Sequence, residues 1–278
     1  MEAECLEQLK TCVVADPETY NQAVCVLGDV RWDRYLKREE SIITDMFTGQ
    51  IARNVAVAQA SLVYTRNSGA VEINERMTRR ADEYCDAFSI LSISLDSSKS
   101  VQSLEECLEN YRHMEELAHE NRVFCDVQCK DKTNRRTQVL LQRTPPILII
   151  QLQRFEPTNT SVEKIGTDVE FPVRRSLNIT QNMFMRDESK PVKYRLMAVC
   201  AHLGSSLDNG HYIAYRRCAR SQEWMRLDDD RKSTLSSAEL LQQARDQSTY
   251  CFMSGTGHPS SKARRKKEKH CCVLHFPS

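Results

Sequence analysis

The stretch "SLDNGHYIAYRRCARSQEWMRLDDD", residues 206–230, sets a lone histidine at the head of one strand-like run and three aspartates at the end of the next. Residues 211–217 and 224–229 read as two strands, and the polar segment "CARSQE", centred near residue 220, reads as the turn between them. In an antiparallel hairpin opposed residues sum to a constant, here about 440, which sets His211 across from the stretch Asp228 to Asp230. Opposed side chains stand about 5 Å apart at Cβ, within hydrogen-bonding reach for histidine and aspartate. A carboxylate on one imidazole nitrogen fixes the tautomer and stabilises the imidazolium that forms when the other nitrogen takes a proton from a nucleophile. Gly210, just before the histidine, lets another backbone or a substrate approach because it has no Cβ. Two readings stay open on the pattern alone: the base and orienting acid of a nucleophilic triad, or a surface hairpin with a polar histidine and solvated acids.

Outward from the hairpin the chain stays rich in strands. "YRLMAVCAHLG" at 194–204 and "STYCFMS" at 248–254 flank it, with a short helix expected near "SSAELLQQAR". "TPPILIIQLQRF" breaks any helix at its two prolines and continues as an apolar strand, Ile147 to Leu152, expected at the centre of a sheet and buried on both faces. In "SLEECLENYRHMEELAHE", Ser103 and Glu106 form a capping box, and Leu104, Leu108, Tyr111 and Ala118 share a face, which predicts a helix over 103–118. "IARNVAVAQASLVYT" predicts a β-hairpin arm returning towards "FSILSISL" at 88–95, both in one extended sheet. At the start, Leu6, Leu9 and Val13 recur at helical spacing. Asp16 serves as N-cap with Pro17 in the first turn, and mixed helical signals run from Trp32 to Phe47. The sum is α+β: an antiparallel sheet with helices packed on one side.

The 278 residues are 40% hydrophobic and 28% charged, ordinary for a soluble protein, and 39 basic against 38 acidic residues leave a net charge of +1. That balance gives no global field for nucleic acid or a membrane surface. No apolar run approaches the roughly 18 residues of a spanning helix, so no transmembrane segment is expected, and "MEAECLEQLK" is acidic where a signal peptide is basic and then greasy. The expected location is intracellular, cytoplasmic or nuclear. The twelve cysteines are then read mostly as buried thiols, metal ligands or a nucleophile, seldom as disulfides.

Seven segments in order resemble the ubiquitin-specific proteases, papain-like cysteine proteases: "SIITDMFTGQI" at 41–51, "SLEECLENY" at 103–111, "RTPPILIIQLQRF" at 143–155, "VEFP" at 169–172, "YRLMAVCAHLG" at 194–204, "NGHYIAYRR" at 209–217 and "EWMRLDD" at 223–229. The resemblance implies a papain-like α+β fold with a partial thumb, a fingers sheet and a palm sheet. It also implies thiol-dependent hydrolysis of the isopeptide bond at the C-terminus of ubiquitin, with ubiquitin or ubiquitinated proteins as partners and no cofactor. Carried over by position, His211 matches the general base, Asp228 the residue that orients it, and Asp229 the second polar position supporting the site. Trp224 and Tyr212 match packing positions. The implied organisation is a helical remnant of the thumb at 1–40, palm and fingers at 41–254, and a disordered basic tail at 255–278.

The family's Gly-Asn-Thr-Cys box, which opens a helix whose N-terminus lowers the thiol pKa, is matched by none of the cysteines. Cys12, in "QLKTCVVADP", has only the preceding threonine and reads as a buried thiol; Cys200 and Cys218 read as packing or surface residues, and Ser205 and Ser206 as turn residues. Three explanations compete: a fragment whose nucleophile lies upstream, a chain completed by a separate piece, or a ubiquitin-binding scaffold without catalysis. The first is favoured, because a histidine and aspartate without function have little reason to sit together in the motif. Many members hold zinc through two Cys-x-x-Cys knuckles, but the first falls in "NVAVAQAS" without cysteine and the second has three residues instead of two between Cys125 and Cys129, so no metal is expected. The tail, with six Lys and Arg between 262 and 269, reads as an import signal, an anionic-surface patch or a solvated end. "CCVL" is not terminal, so prenylation does not apply.

Overall fold

The computed structural model describes residues 17–64, 71–78, 84–125, 131–158, 161–184, 192–206, 209–244 and 248–256. Expectations for residues 1–16, including Cys12 and the Asp16 cap, for Cys129 and for the tail from 257 lie outside them. Helix α1 (Pro17–Arg38) opens on Pro17, where a missing N–H costs nothing. The helical signals from Trp32 to Phe47 divide in two, because Ser41 caps a separate helix α2 (Ile42–Phe47) by accepting from Thr44 N at 3.1 Å.

Next come β1 (Gly49–Tyr64), β2 (Val71–Thr78) and β3 (Tyr84–Phe88), with β1 pairing antiparallel to both. The stretch 88–95 does not stay in this sheet as expected. Phe88 pairs with Gly49 at the end of β3, but β4 (Ile90–Ser94) crosses to a second sheet and buries Leu91 and Ile93 there.

β5 (Val101–Ser103) leads into α3 (Leu104–Arg112), whose capping box forms: Glu106 N donates to Ser103 Oγ at 3.2 Å and Ser103 N to Glu106 Oε2 at 2.8 Å. The helix stops short of residue 118. His113 turns extended, and Glu115–Leu117 become β6. After β7 (Val123–Cys125) and β8 (Asp131–Thr133) comes β9 (Arg135–Arg143), which pairs with β6 and with β1. Pairing with β9 overrides the helical periodicity, since Ala118 alone offered little apolar face to hold a last turn.

The smaller sheet thus runs β2-β1-β9-β6, with β3 beside β1. Two glutamines tie α1 to its base: Gln50 Nε2 donates to Gly28 O at 2.8 Å and Gln142 Nε2 to Val24 O at 3.2 Å.

The large sheet takes β10 (Ile147–Gln153), β15 (Val192–Leu203), β16 (His211–Arg217), β17 (Trp224–Asp228), β18 (Arg231–Leu235) and β19 (Ser248–Thr256) in the order β18-β17-β16-β15-β19-β10-β4. Between β10 and β15 lie β11 (Phe155–Pro157), β12 (Val162–Lys164), β13 (Asp168–Glu170) and β14 (Leu177–Ile179), the last pairing with β15. Helix α4 (Ser237–Ala244) falls where the sequence places it and buries Leu240 and Ala244. β10 lies one strand from the edge, between β19 and parallel β4, instead of at the centre. Leu148, Ile150 and Leu152 are fully buried while Ile147 and Ile149 are only partly so, so the unbroken apolar run 147–150 alternates in burial after all. β19 extends to Thr256, past the boundary expected at 254.

Candidate active site

The hairpin of β16 and β17 forms with Ala214 opposite Leu227, Tyr215 opposite Arg226, Arg216 opposite Met225 and Arg217 opposite Trp224. Beyond Leu227 the chain turns again at once: Asp228 pairs with Arg231 on β18, and Asp229 occupies the connection with φ 53°, a left-handed conformation that aspartate tolerates. Two hairpins back to back therefore carry the acid to the histidine.

His211 Nε2 lies 2.6 Å from Asp228 Oδ1. An ionised carboxylate only accepts, so Nε2 carries the proton and Nδ1 is left as the basic nitrogen. The other carboxylate oxygen, Asp228 Oδ2, accepts from Arg226 Nη2 at 2.7 Å. The His211 hydrogen bond first, with the nearby charges of Arg226 and Arg231, holds the Asp228 carboxyl below the usual aspartate value despite the opposing effect of burial. The Asp228 side chain is 21% exposed and that of His211 43%, so the imidazole is the accessible member.

Possible ligand atoms of His211, Asp228 and Asp229 lie within 4.8 Å of one another. Both Asp228 oxygens are already engaged, by an imidazole and a guanidinium, and a cation bound there would compete with these cationic or donor partners. The arrangement suits orientation of a base better than metal binding.

Of the residues matched to packing roles, Trp224 is 2% exposed in the core, whereas Tyr212 is 57% exposed with its ring 4.8 Å from that of His202. Ser206 is a turn residue, its hydroxyl accepting from Asn209 N at 3.2 Å. Gly210 is required by its own chain: a Cβ there would lie 2.0 Å from His202 Nε2 and 2.8 Å from Leu203 O. Neither His202 nor Arg226 stood out in the sequence. A strand register carried across the Gly204–Gly210 loop would have paired His202 with Tyr212.

None of the cysteines with described side chains is set to attack a carbonyl beside His211. Cys85, Cys107 and Cys251 are buried, with burial pushing the Cys107 and Cys251 thiols up to about 11 and about 12; burial also raises Cys200. Cys25 packs with α1 against the smaller sheet. Cys218 follows the far end of β16, about 20 Å along the strand from His211.

The family described as ubiquitin carboxyl-terminal hydrolase matches residues 3–253. Human ubiquitin carboxyl-terminal hydrolase 21 is 31% identical over 216 residues, covering 77% of this chain and 34% of that protein. Chicken ubiquitin carboxyl-terminal hydrolase 2 is 25% identical over 232 residues, covering 83% and 57%. The chain thus spans about a third of the length of the first relative and over half of the second. Among solved structures, the Ubp8, Sgf11, Sus1 and Sgf73 SAGA module bound to monoubiquitin aligns with a TM-score of 0.59 at 21% identity, covering 86% of this chain and 48% of the matched one. The same module bound to ubiquitin aldehyde aligns with a TM-score of 0.59 at 21% identity, with the same coverage. That structural likeness speaks to the fold, which is the α+β papain-like arrangement. Because the family match runs almost from end to end of the described residues, the chain belongs to the ubiquitin carboxyl-terminal hydrolases.

Proposed function

We propose that the chain supplies the base and orienting acid of a thiol-dependent deubiquitinase. The observation that carries this is the 2.6 Å contact between His211 Nε2 and Asp228 Oδ1, which leaves Nδ1 to receive a proton. A thiol gives that proton to His211 and its sulfur attacks the carbonyl at the ubiquitin C-terminus. His211 then protonates the leaving lysine amine, and water hydrolyses the thioester. Asp229 supports the pair from its tight connection. In this reading the chain from residue 41 to the end of β19 at Thr256 forms the ubiquitin-facing palm and fingers, α1 belongs to a thumb remnant, and the basic sequence after Thr256 is a tail. The thiol comes from outside the described residues. An intracellular location accompanies the reading; among the described residues no helix is long and apolar enough to cross a membrane.

A second reading, a ubiquitin-binding scaffold without catalysis, is favoured by one observation: no described cysteine attends His211. Ubiquitin carrying a C-terminal electrophile separates the two. Saturable binding with a covalent adduct is expected for the enzyme, with peptide mapping naming the sulfur. Saturable binding without an adduct selects the scaffold, and failure of ubiquitin to bind overturns both.

A further inference from the structure

His202 is 4% exposed, and its Nδ1 has no hydrogen-bond partner among the described residues. A buried imidazole held by no bond at that nitrogen is held by shape, and three neighbours provide it. Phe155 meets the ring edge-on at 5.9 Å between centroids, Tyr212 lies tilted at 4.8 Å, and Gly210 leaves the space a Cβ would fill. Gly210 and Tyr212 are the two residues that flank His211 in the chain. The one ring therefore packs against both residues that flank the base.

His202 is itself gripped from outside the sheet. Lys164 Nζ donates to His202 O at 2.8 Å and to Gly204 O at 2.6 Å. One ammonium thus spans a carbonyl of β15 and one just past its end. The pairing of β19 with β15 runs as far as Ala201 with Ser248, at the residue before His202. Lys164 is the cross-strand partner of Phe155 in the β11–β12 ladder, so a single residue pair supplies both the ring contact and the cation. The ladder is anchored by Arg154, 1% exposed, which donates through Nη1 to Ile165 O at 3.1 Å and Thr167 O at 2.8 Å.

From this arrangement we infer that His202, clamped by the Phe155–Lys164 pair, is the positioning residue that holds His211 in line with Asp228. The inference rests on His211 being the base. His202 is buried, and it acts by fixing where Gly210 and Tyr212, and so His211 between them, leave the last pair of the β15–β16 ladder, Leu203 with His211. Burial and the Lys164 charge both lower the His202 pKa, so the wedge stays neutral and adds no second cation beside the base.

The test reads the His211–Asp228 bond without ubiquitin. In the full chain labelled with nitrogen-15, the proton on His211 Nε2 is assigned by its loss in His211→Gln, and its exchange with water is timed. Lys164→Met should speed that exchange about tenfold or more, the scale of a weakened charge-assisted hydrogen bond. Lys164→Arg, which keeps a donor within reach of both carbonyls, should restore the wild-type rate, and His202→Ala should act in the same direction as Lys164→Met. Urea unfolding of each variant separates this local loosening from general destabilisation. If Lys164→Met lowers the unfolding midpoint while the exchange rate stays at the wild-type value, the residue is structural only and the inference is overturned. Failure of ubiquitin to bind would remove the proposed function and leave this measurement standing.

Discussion

Arg226 Nη2 lies 2.7 Å from Asp228 Oδ2, on the opposite oxygen from His211. The two residues are two apart on β17 and so share a face, which lets the guanidinium fix the rotation of the carboxylate that the imidazole needs. Because the folded-state value of Asp228 is lowered, its carboxylate contributes stability at pH above the ordinary aspartate value near about 4, and that contribution is lost as pH falls through the lowered value. Arg226→Met removes one cause of the lowering. The carboxyl should then titrate at higher pH and its contribution should begin to fail earlier on acidification. A carbon-13 titration of the Asp228 side chain reads the shift, and an unmoved curve would remove Arg226 from the site.

Gly210→Ala drives a methyl into the His202 ring, 2.0 Å from Nε2. Overpacking of this kind costs about 1–3 kcal/mol, read as a lowered urea midpoint. Combining it with His202→Ala gives the methyl room, so the double variant should lose less stability than the two single losses added together. Simple additivity would mean that the ring and the glycine are not in contact in solution.

Ile150 is fully buried and its neighbour Ile149 only partly so, on opposite faces of β10. Ile150→Ala should cost about 2–5 kcal/mol, the usual range for a filled core position, and Ile149→Ala clearly less. Equal losses in chemical denaturation would restore the two-faced burial that the unbroken apolar run suggests.

What the sequence alone reveals follows from how local each decision is. The hairpin was legible because its turn and both its strands lie within 25 residues of chain: a sum near 440 was expected, and Ala214 with Leu227 gives 441. The Ser103 cap was legible for the same reason. The end of α3 and the departure of β4 were not, because β9 takes Glu115–Leu117 out of the helix and β10 takes Ile90–Ser94 out of the first sheet, partners that no local pattern announces. Lys164 was invisible for a stronger version of that reason. Its acceptors lie 38 and 40 residues along the chain, and nothing in "VEKIGTD" distinguishes it from a solvated lysine. The site divides the same way: His211, Asp228 and Arg226 lie in one hairpin, while His202, Phe155 and Lys164 come from three other strands.

Cys218 read as an ordinary packing or surface cysteine, yet the Ser221 hydroxyl, the Ser221 and Arg220 backbone N–H groups and, less strongly, the Arg216 charge lower its pKa to about 7. Thiolate is the form that reacts, so alkylation by iodoacetamide should climb as pH rises through about 7 and level off above it. Cys107 and Cys251, buried and pushed up to about 11 and about 12, should stay unmodified under the same conditions. Peptide mapping after a short exposure at neutral pH should therefore find Cys218 ahead of the other described cysteines. Ser221→Ala removes the largest cause of the lowering, so the midpoint of the rate profile should move to higher pH, and a profile that did not move would assign the reactivity to something other than that hydroxyl. Because Cys218 lies about 20 Å along β16 from His211, its alkylation should leave the His211–Asp228 bond unchanged, which the Nε2 proton exchange rate would show directly.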